Sequence, residues 1–119
     1  MTNETRITVQ NEGNVLILEI QEPRISEGRI LEALSRELEA VLQDKEYKKV
    51  LLDLHQVDLM SSGMVGVLVS FYRELAERNR RFVLCGVRPP VQKVFEITRL
   101  DQLFRIEPDV THGVTHLNE

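Results

Sequence analysis

Three short aliphatic runs constrain this chain most: VLILEI at 15–20, VLLDL at 50–54 and FVLC at 82–85. Each has the length of a strand and is too apolar to face water on one side. Such runs suit a sheet covered on both faces. Between them lie segments with apolar residues every three or four positions, the period of an amphipathic helix. Ile30, Leu31, Leu34, Leu38, Val41 and Leu42 form one such stripe. Strands alternating with helices imply a mostly parallel sheet with right-handed crossovers.

The ends complete the pattern. RITVQ at 6–10 alternates polar and apolar residues, as a half-buried strand does, and NEGN at 11–14 is a turn signal. With 15–20 it predicts an antiparallel hairpin. Ser26 is read as the N-cap of the first helix. Pro89 and Pro90 open a later helix, where a missing N–H costs little. LFRIE at 103–107 is a last strand, and residues 108–119 are a short helix or a frayed tail. The expected order is β-β-α-β-α-β-α-β in one α/β domain over residues 1–119.

Composition sets the outer limits. At 119 residues the chain can bury a core without disulfides, and Cys85, its single cysteine, reads as a core residue. The net charge is −4, with no basic block of the kind that follows a phosphate backbone, so nucleic acid is not expected as a partner. No apolar run approaches the ~20 residues of a membrane span, and residues 1–10 lack a signal-peptide layout. A cytoplasmic protein without membrane insertion is expected.

The segment DLMSSGMVGVL at 58–68 carries the chemistry. A strand ends, a tight loop follows and a helix starts. Ser61 is the natural N-cap, and Ser62, Gly63 and Met64 make the first helical turn. Free N–H groups and the positive end of the helix dipole meet there, a favourable place for an anion or a phosphate. A plain helix cap, worth ~1 kcal/mol, explains the same local pattern. Along the helix to about Asn79, Met64, Val67, Leu68, Phe71 and Leu75 form a core stripe. Val65, Val69, Tyr72 and Ala76 widen it to about 200°. Gly66 and Ser70 are small enough to let a partner, or the first helix, come close.

Other chemistries find weaker support. His55 beside the serines lacks an orienting group and a G-x-S-x-G elbow, so it reads as a solvated turn residue. His112 and His116 are four apart but have no third ligand. There is no phosphate-binding G-x-x-x-x-G-K-[ST] loop. No catalytic residue, metal or cofactor is expected.

Residues 50–104 resemble a STAS domain, the fold of bacterial anti-sigma factor antagonists. The resemblance rests on LLDL at 51–54, Ser61-Ser62-Gly63 with Gly66-Val67-Leu68, the Gly86-Val87 strand end before a proline-started helix, and EITRLDQLF at 96–104. It extends more weakly to the hairpin and the first helix. It implies a switch protein without catalytic activity. By resemblance, Ser61 is phosphorylated by a serine kinase that is also an anti-sigma factor. The unmodified form binds that partner and frees the sigma factor for transcription, and a phosphatase resets it. The implied partner-binding residues are Asp58, Met60, Ser61, Ser62, Gly63, Met64, Val65, Gly66, Val69 and Tyr72. Two positions depart from the family pattern. Met60 stands where an aspartate usually precedes the serine, and Arg99 replaces a glycine often found after the threonine. Asp58 is the nearest substitute carboxylate if it faces the serine. Met60 also motivates an alternative: a module of the same fold that binds without phosphorylation, as a signalling scaffold or a soluble subunit of a lipid-transport ABC system.

Overall fold

The computed structural model describes residues 6–119; residues 1–5, where the expected 1–119 domain begins, lie outside the described residues. The elements are β1 (Ile7–Glu12), β2 (Val15–Ile20), β3 (Arg24–Ile25), α1 (Arg29–Gln43), β4 (Lys49–Asp53), β5 (Leu59–Met60), α2 (Ser62–Glu77), β6 (Arg81–Cys85), α3 (Pro89–Ile97), a 3₁₀ turn (Leu100–Gln102), β7 (Arg105–Glu107) and α4 (Val110–Leu117). The main sheet runs β1-β2-β4-β6-β7. β1 and β2 form the expected antiparallel hairpin, with Ile7 opposite Ile20 and Glu12 opposite Val15. The remaining neighbours are parallel.

β4 is central because its side chains are apolar on both faces. Val50, Leu52 and Leu54 join the large core beneath α1, α2 and α3. Leu51 points to the opposite face, where Val15, Ile17, Val83 and Cys85 pack against Val114 and Leu117 of α4. The α1 stripe buries Leu34, Leu38, Val41 and Leu42 as its spacing predicts. In α2, Met64, Leu68, Phe71 and Leu75 are buried.

Four sequence expectations change: the cap of the first helix, the number of strands, the length of the last strand, and the half-burial of 6–10, where Ile7 is buried but Val9 is 58% exposed. Ser26 is not the N-cap of α1. That place falls to Gly28, with φ 92° and no side-chain cap. Arg24 and Ile25 stay extended because they pair in parallel with Leu59 and Met60, which delays the helix. This two-stranded patch adds β3 and β5 to the expected order. α2 stops at Glu77 because Asn79 turns left-handed (φ 58°) and Arg80 N–H reaches back to Leu75 O at 2.9 Å, a Schellman-type end. The last strand is shorter than predicted, since residues 100–102 coil into the 3₁₀ turn that buries Phe104. Residues 110–117 form a packed helix, on the face the other helices leave open.

Candidate functional site

The loop between β4 and α2 is built on backbone bonds to residues 23–25. Asp58 N and Leu59 N donate to Pro23 O at 2.7 and 3.1 Å, and Ser61 N donates to Ile25 O at 2.9 Å. These bonds hold Ser61 extended (φ −72°, ψ 162°) at the N-cap of α2, where its Oγ accepts from Met64 N at 3.2 Å. The serine expected to cap the helix does so. Its hydroxyl proton remains free to donate among the described residues.

Two residues assigned to the partner-binding set are core residues instead. Met60 is 5% exposed and Met64 fully buried, both in the cluster under the helices. Strand alternation decides the first: in β5, Met60 points in and Leu59 points out. Leu59, which the sequence reading passed over, is 53% exposed beside Ser61. The signal for it was the two-residue period of a strand too short to show one.

Among the other expected residues, Ser62 and Gly66 are exposed, and a Cβ on Gly66 would meet nothing within 4 Å. Val65, Val69 and Tyr72 are half-buried and pack on the core. Tyr72 meets Phe104 edge-on at 5.7 Å, so much of the wide apolar arc is explained by internal packing. Ala76 is exposed. Asp58 does not serve the serine. Its Oδ1 lies 3.1 Å from Arg88 Nε, tying the loop to the residue that precedes α3. Gly63 gives its N–H to Glu27 Oε2 at 3.0 Å. Behind it, Ser35, Leu38, Gly66, Val67 and Ser70 line an open groove of about 430 Å³ between α1 and α2.

A second polar cluster sits on the α4 face. In-register pairing sets Glu19 beside Asp53 and Asp53 beside Cys85. His55 is the exposed turn residue expected, but it is also paired. Its Nδ1 lies 2.9 Å from Asp53 Oδ2 and its Nε2 lies 3.5 Å from Glu19 Oε2. Among the described residues, Glu19, Asp53 and His55 are the grouping whose ligand atoms converge enough to hold a metal, within 4.8 Å of one another. Each ring nitrogen already faces a carboxylate, so His55 bridges two acids rather than activating Ser61 or Ser62. Burial, with the charges of Asp53 and Asp109, pushes the Cys85 thiol up to about 12. His112 and His116 each pair with a different acid. His112 Nδ1 sits 2.7 Å from Asp109 Oδ1, which raises the imidazole above its ordinary value, while His116 Nδ1 lies 3.4 Å from Glu119.

A family model described as "STAS domain" matches residues 6–112. The chain belongs to the STAS domain family. BtrV of Bordetella bronchiseptica, named as an anti-sigma factor antagonist, is 32% identical to this STAS chain over 83 residues, 67% of this chain and 72% of BtrV. The anti-sigma-B factor antagonist of Listeria monocytogenes is 34% identical over 67 residues, 56% of this chain and 59% of its own. A STAS domain protein from Planctomyces limnophilus, described as an anti-sigma-factor antagonist, superposes with a TM-score of 0.83 at 23% identity, over 95% of this chain and 98% of the other. The STAS fold read from the sequence is thereby established, and by homology the chain falls with the anti-sigma factor antagonists. No helix among the described residues is long and apolar enough to cross a membrane.

Proposed function

We infer that this STAS domain, taken as residues 1–119, is a binding switch for a serine kinase that also acts as an anti-sigma factor. Ser61 is its phosphoacceptor. The observation that carries this reading is the placement of Ser61 as an extended N-cap, with exposed Ser62 and Leu59 on either side. In the modification, Ser61 Oγ attacks the γ-phosphorus of ATP. The bond to the ADP oxygen breaks, and the hydroxyl proton passes to a base on the kinase or to water. A phosphatase reverses the state by hydrolysis. The unmodified loop offers Leu59 and the outer edges of Val65 and Val69 for docking. A phosphate carrying about −1.5 to −2 charges must be desolvated there without a matching cation, which opposes docking.

Incubation with the cognate kinase and ATP, followed by mass spectrometry, is expected to place one phosphate on Ser61. Ser61→Ala should keep binding, and Ser61→Glu should weaken it at least about tenfold, or ~1.4 kcal/mol. Phosphate absent from Ser61, with binding equal in both variants, overturns the switch. Binding without phosphorylation, as a scaffold or transporter subunit, is the second reading. Burial of Met60 favours it, because the residue before Ser61 sets no polar atom beside the hydroxyl. Recovery of transporter ATPase subunits instead of a kinase in a pull-down supports that reading.

A further inference from the structure

The first turn of α2 already holds an anion. An N-cap oxygen draws on the N–H groups of the second and third helical residues, here Gly63 and Met64. Met64 serves Ser61 Oγ at 3.2 Å, but Gly63 is taken by the Glu27 carboxylate at 3.0 Å. Glu27 arrives from the loop between β3 and α1, where Gly28 turns the chain at φ 92°, a conformation open to glycine. The fit is close. A Cβ on Gly63 would stand 2.6 and 2.7 Å from the two carboxylate oxygens and 2.7 Å from Leu31 Cδ2. A side chain at position 63 would therefore have to displace the ends of Glu27 and Leu31 across the helix gap, and no left-handed backbone is involved. Glu27 is exposed and pairs with no lysine or arginine among the described residues. The Gly63 N–H and the positive end of the α2 dipole hold it there.

A phosphoryl group on Ser61 puts a second anion at the same turn. It is tethered to the N-cap, carries up to twice the charge of a carboxylate and seeks the same two N–H groups. Glu27, single-charged and on a flexible side chain, is the group that can leave. We propose that Glu27 senses the state of Ser61: phosphorylation expels its carboxylate from α2, releases residues 26–28 and Leu31, and reshapes the mouth of the α1–α2 groove that Gly63 lines. This inference rests on the reading of Ser61 as a phosphoacceptor.

The test avoids the kinase. Phosphoserine is installed at position 61 of the full chain during translation, and amide shifts and hydrogen exchange are followed by NMR. In the unmodified chain, Glu27→Ala should speed exchange at Gly63 about fivefold, as for a lost hydrogen bond. In the phosphorylated chain the same substitution should leave Gly63 unchanged, because Glu27 has already gone. Phosphorylation should shift the amides of Glu27, Gly28 and Leu31. Glu27→Gln, which keeps an acceptor and removes the repulsion, should shrink those shifts. The inference is overturned if residues 27–31 do not respond to phosphate, if Glu27→Ala perturbs Gly63 equally in both forms, or if Glu27→Gln responds as fully as the native residue. A kinase that ignores Ser61 removes the proposed function but not a positive result here. Phosphorylation by the kinase with residues 27–31 unmoved removes this inference alone.

Discussion

Arg99 holds φ 63° and ψ 20°, in the left-handed region, at the cap of the 3₁₀ turn. A side chain there costs about 1–2 kcal/mol through its Cβ, while glycine loses about 0.4–1 kcal/mol more backbone entropy on folding. The steric cost is the larger, so Arg99→Gly is expected to stabilise the protein by about 0.5–1 kcal/mol. Urea unfolding should show a higher midpoint at an unchanged slope; a lower midpoint would mean the Arg99 side chain makes contacts that outweigh its strained backbone. Residue identity was enough to anticipate some positions and not others. Ser61 could be read as a cap because capping depends on a residue and the three that follow it. Met60 could not be placed, because its direction depends on a two-residue strand pairing with Arg24 and Ile25. Glu27 was missed for the same reason, since it meets Gly63 from 36 residues away.

Elements differ in how far their own sequence accounts for them. α1 carries a clear helical period and β2 and β4 clear aliphatic runs, and these elements form where expected to within a few residues, whereas the alternation of β1 does not bury Val9, which is 58% exposed. α4 is different. Its sequence, VTHGVTHL, contains β-branched residues and a glycine, which are weak helix formers. It stands on tertiary support. Asp109 caps it at His112 N, 2.9 Å away, and Arg81 closes the far end by donating to Leu117 O at 2.7 Å and His116 O at 3.2 Å. Gly113 lets the helix settle on the sheet, for a Cβ there would stand 2.6 Å from Leu51 Cδ1. Alanine at 113 gains ~1 kcal/mol of helix propensity, yet overpacking a fully buried leucine costs about 1–3 kcal/mol. Gly113→Ala should therefore lower stability by about 1 kcal/mol in urea titration, and adding Leu51→Val should recover part of the loss. A stabilised Gly113→Ala protein would show that Leu51 has room to move.

At the scale of the molecule, the sheet separates two apolar clusters of unequal size. The larger lies under α1, α2 and α3, and the smaller joins Val15, Ile17, Leu51, Val83 and Cys85 to α4. The Ser61 loop, Glu27 and the α1–α2 groove belong to the larger side, while the Glu19–Asp53–His55 bridge belongs to the smaller. Unequal burial implies unequal local stability, because opening α4 exposes less apolar surface than unfolding the sheet. Amides of Val50, Leu51 and Leu52 should exchange only on global unfolding, with the full denaturant slope. Amides of α4 should exchange through a smaller opening with a shallower slope. Cys85 gives an independent readout. It is fully buried, its thiol is raised to about 12, and it lies under α4 rather than in the larger cluster. Under native conditions its labelling by a thiol reagent should follow the α4 opening and proceed faster than β4 exchange. Val114→Ala should accelerate it by roughly tenfold, for ~1.4 kcal/mol of lost packing, while leaving docking at the Ser61 loop unchanged. If α4 and β4 share one exchange free energy and one slope, and Cys85 is labelled only at the rate of global unfolding, the two clusters form a single cooperative unit and the division is wrong.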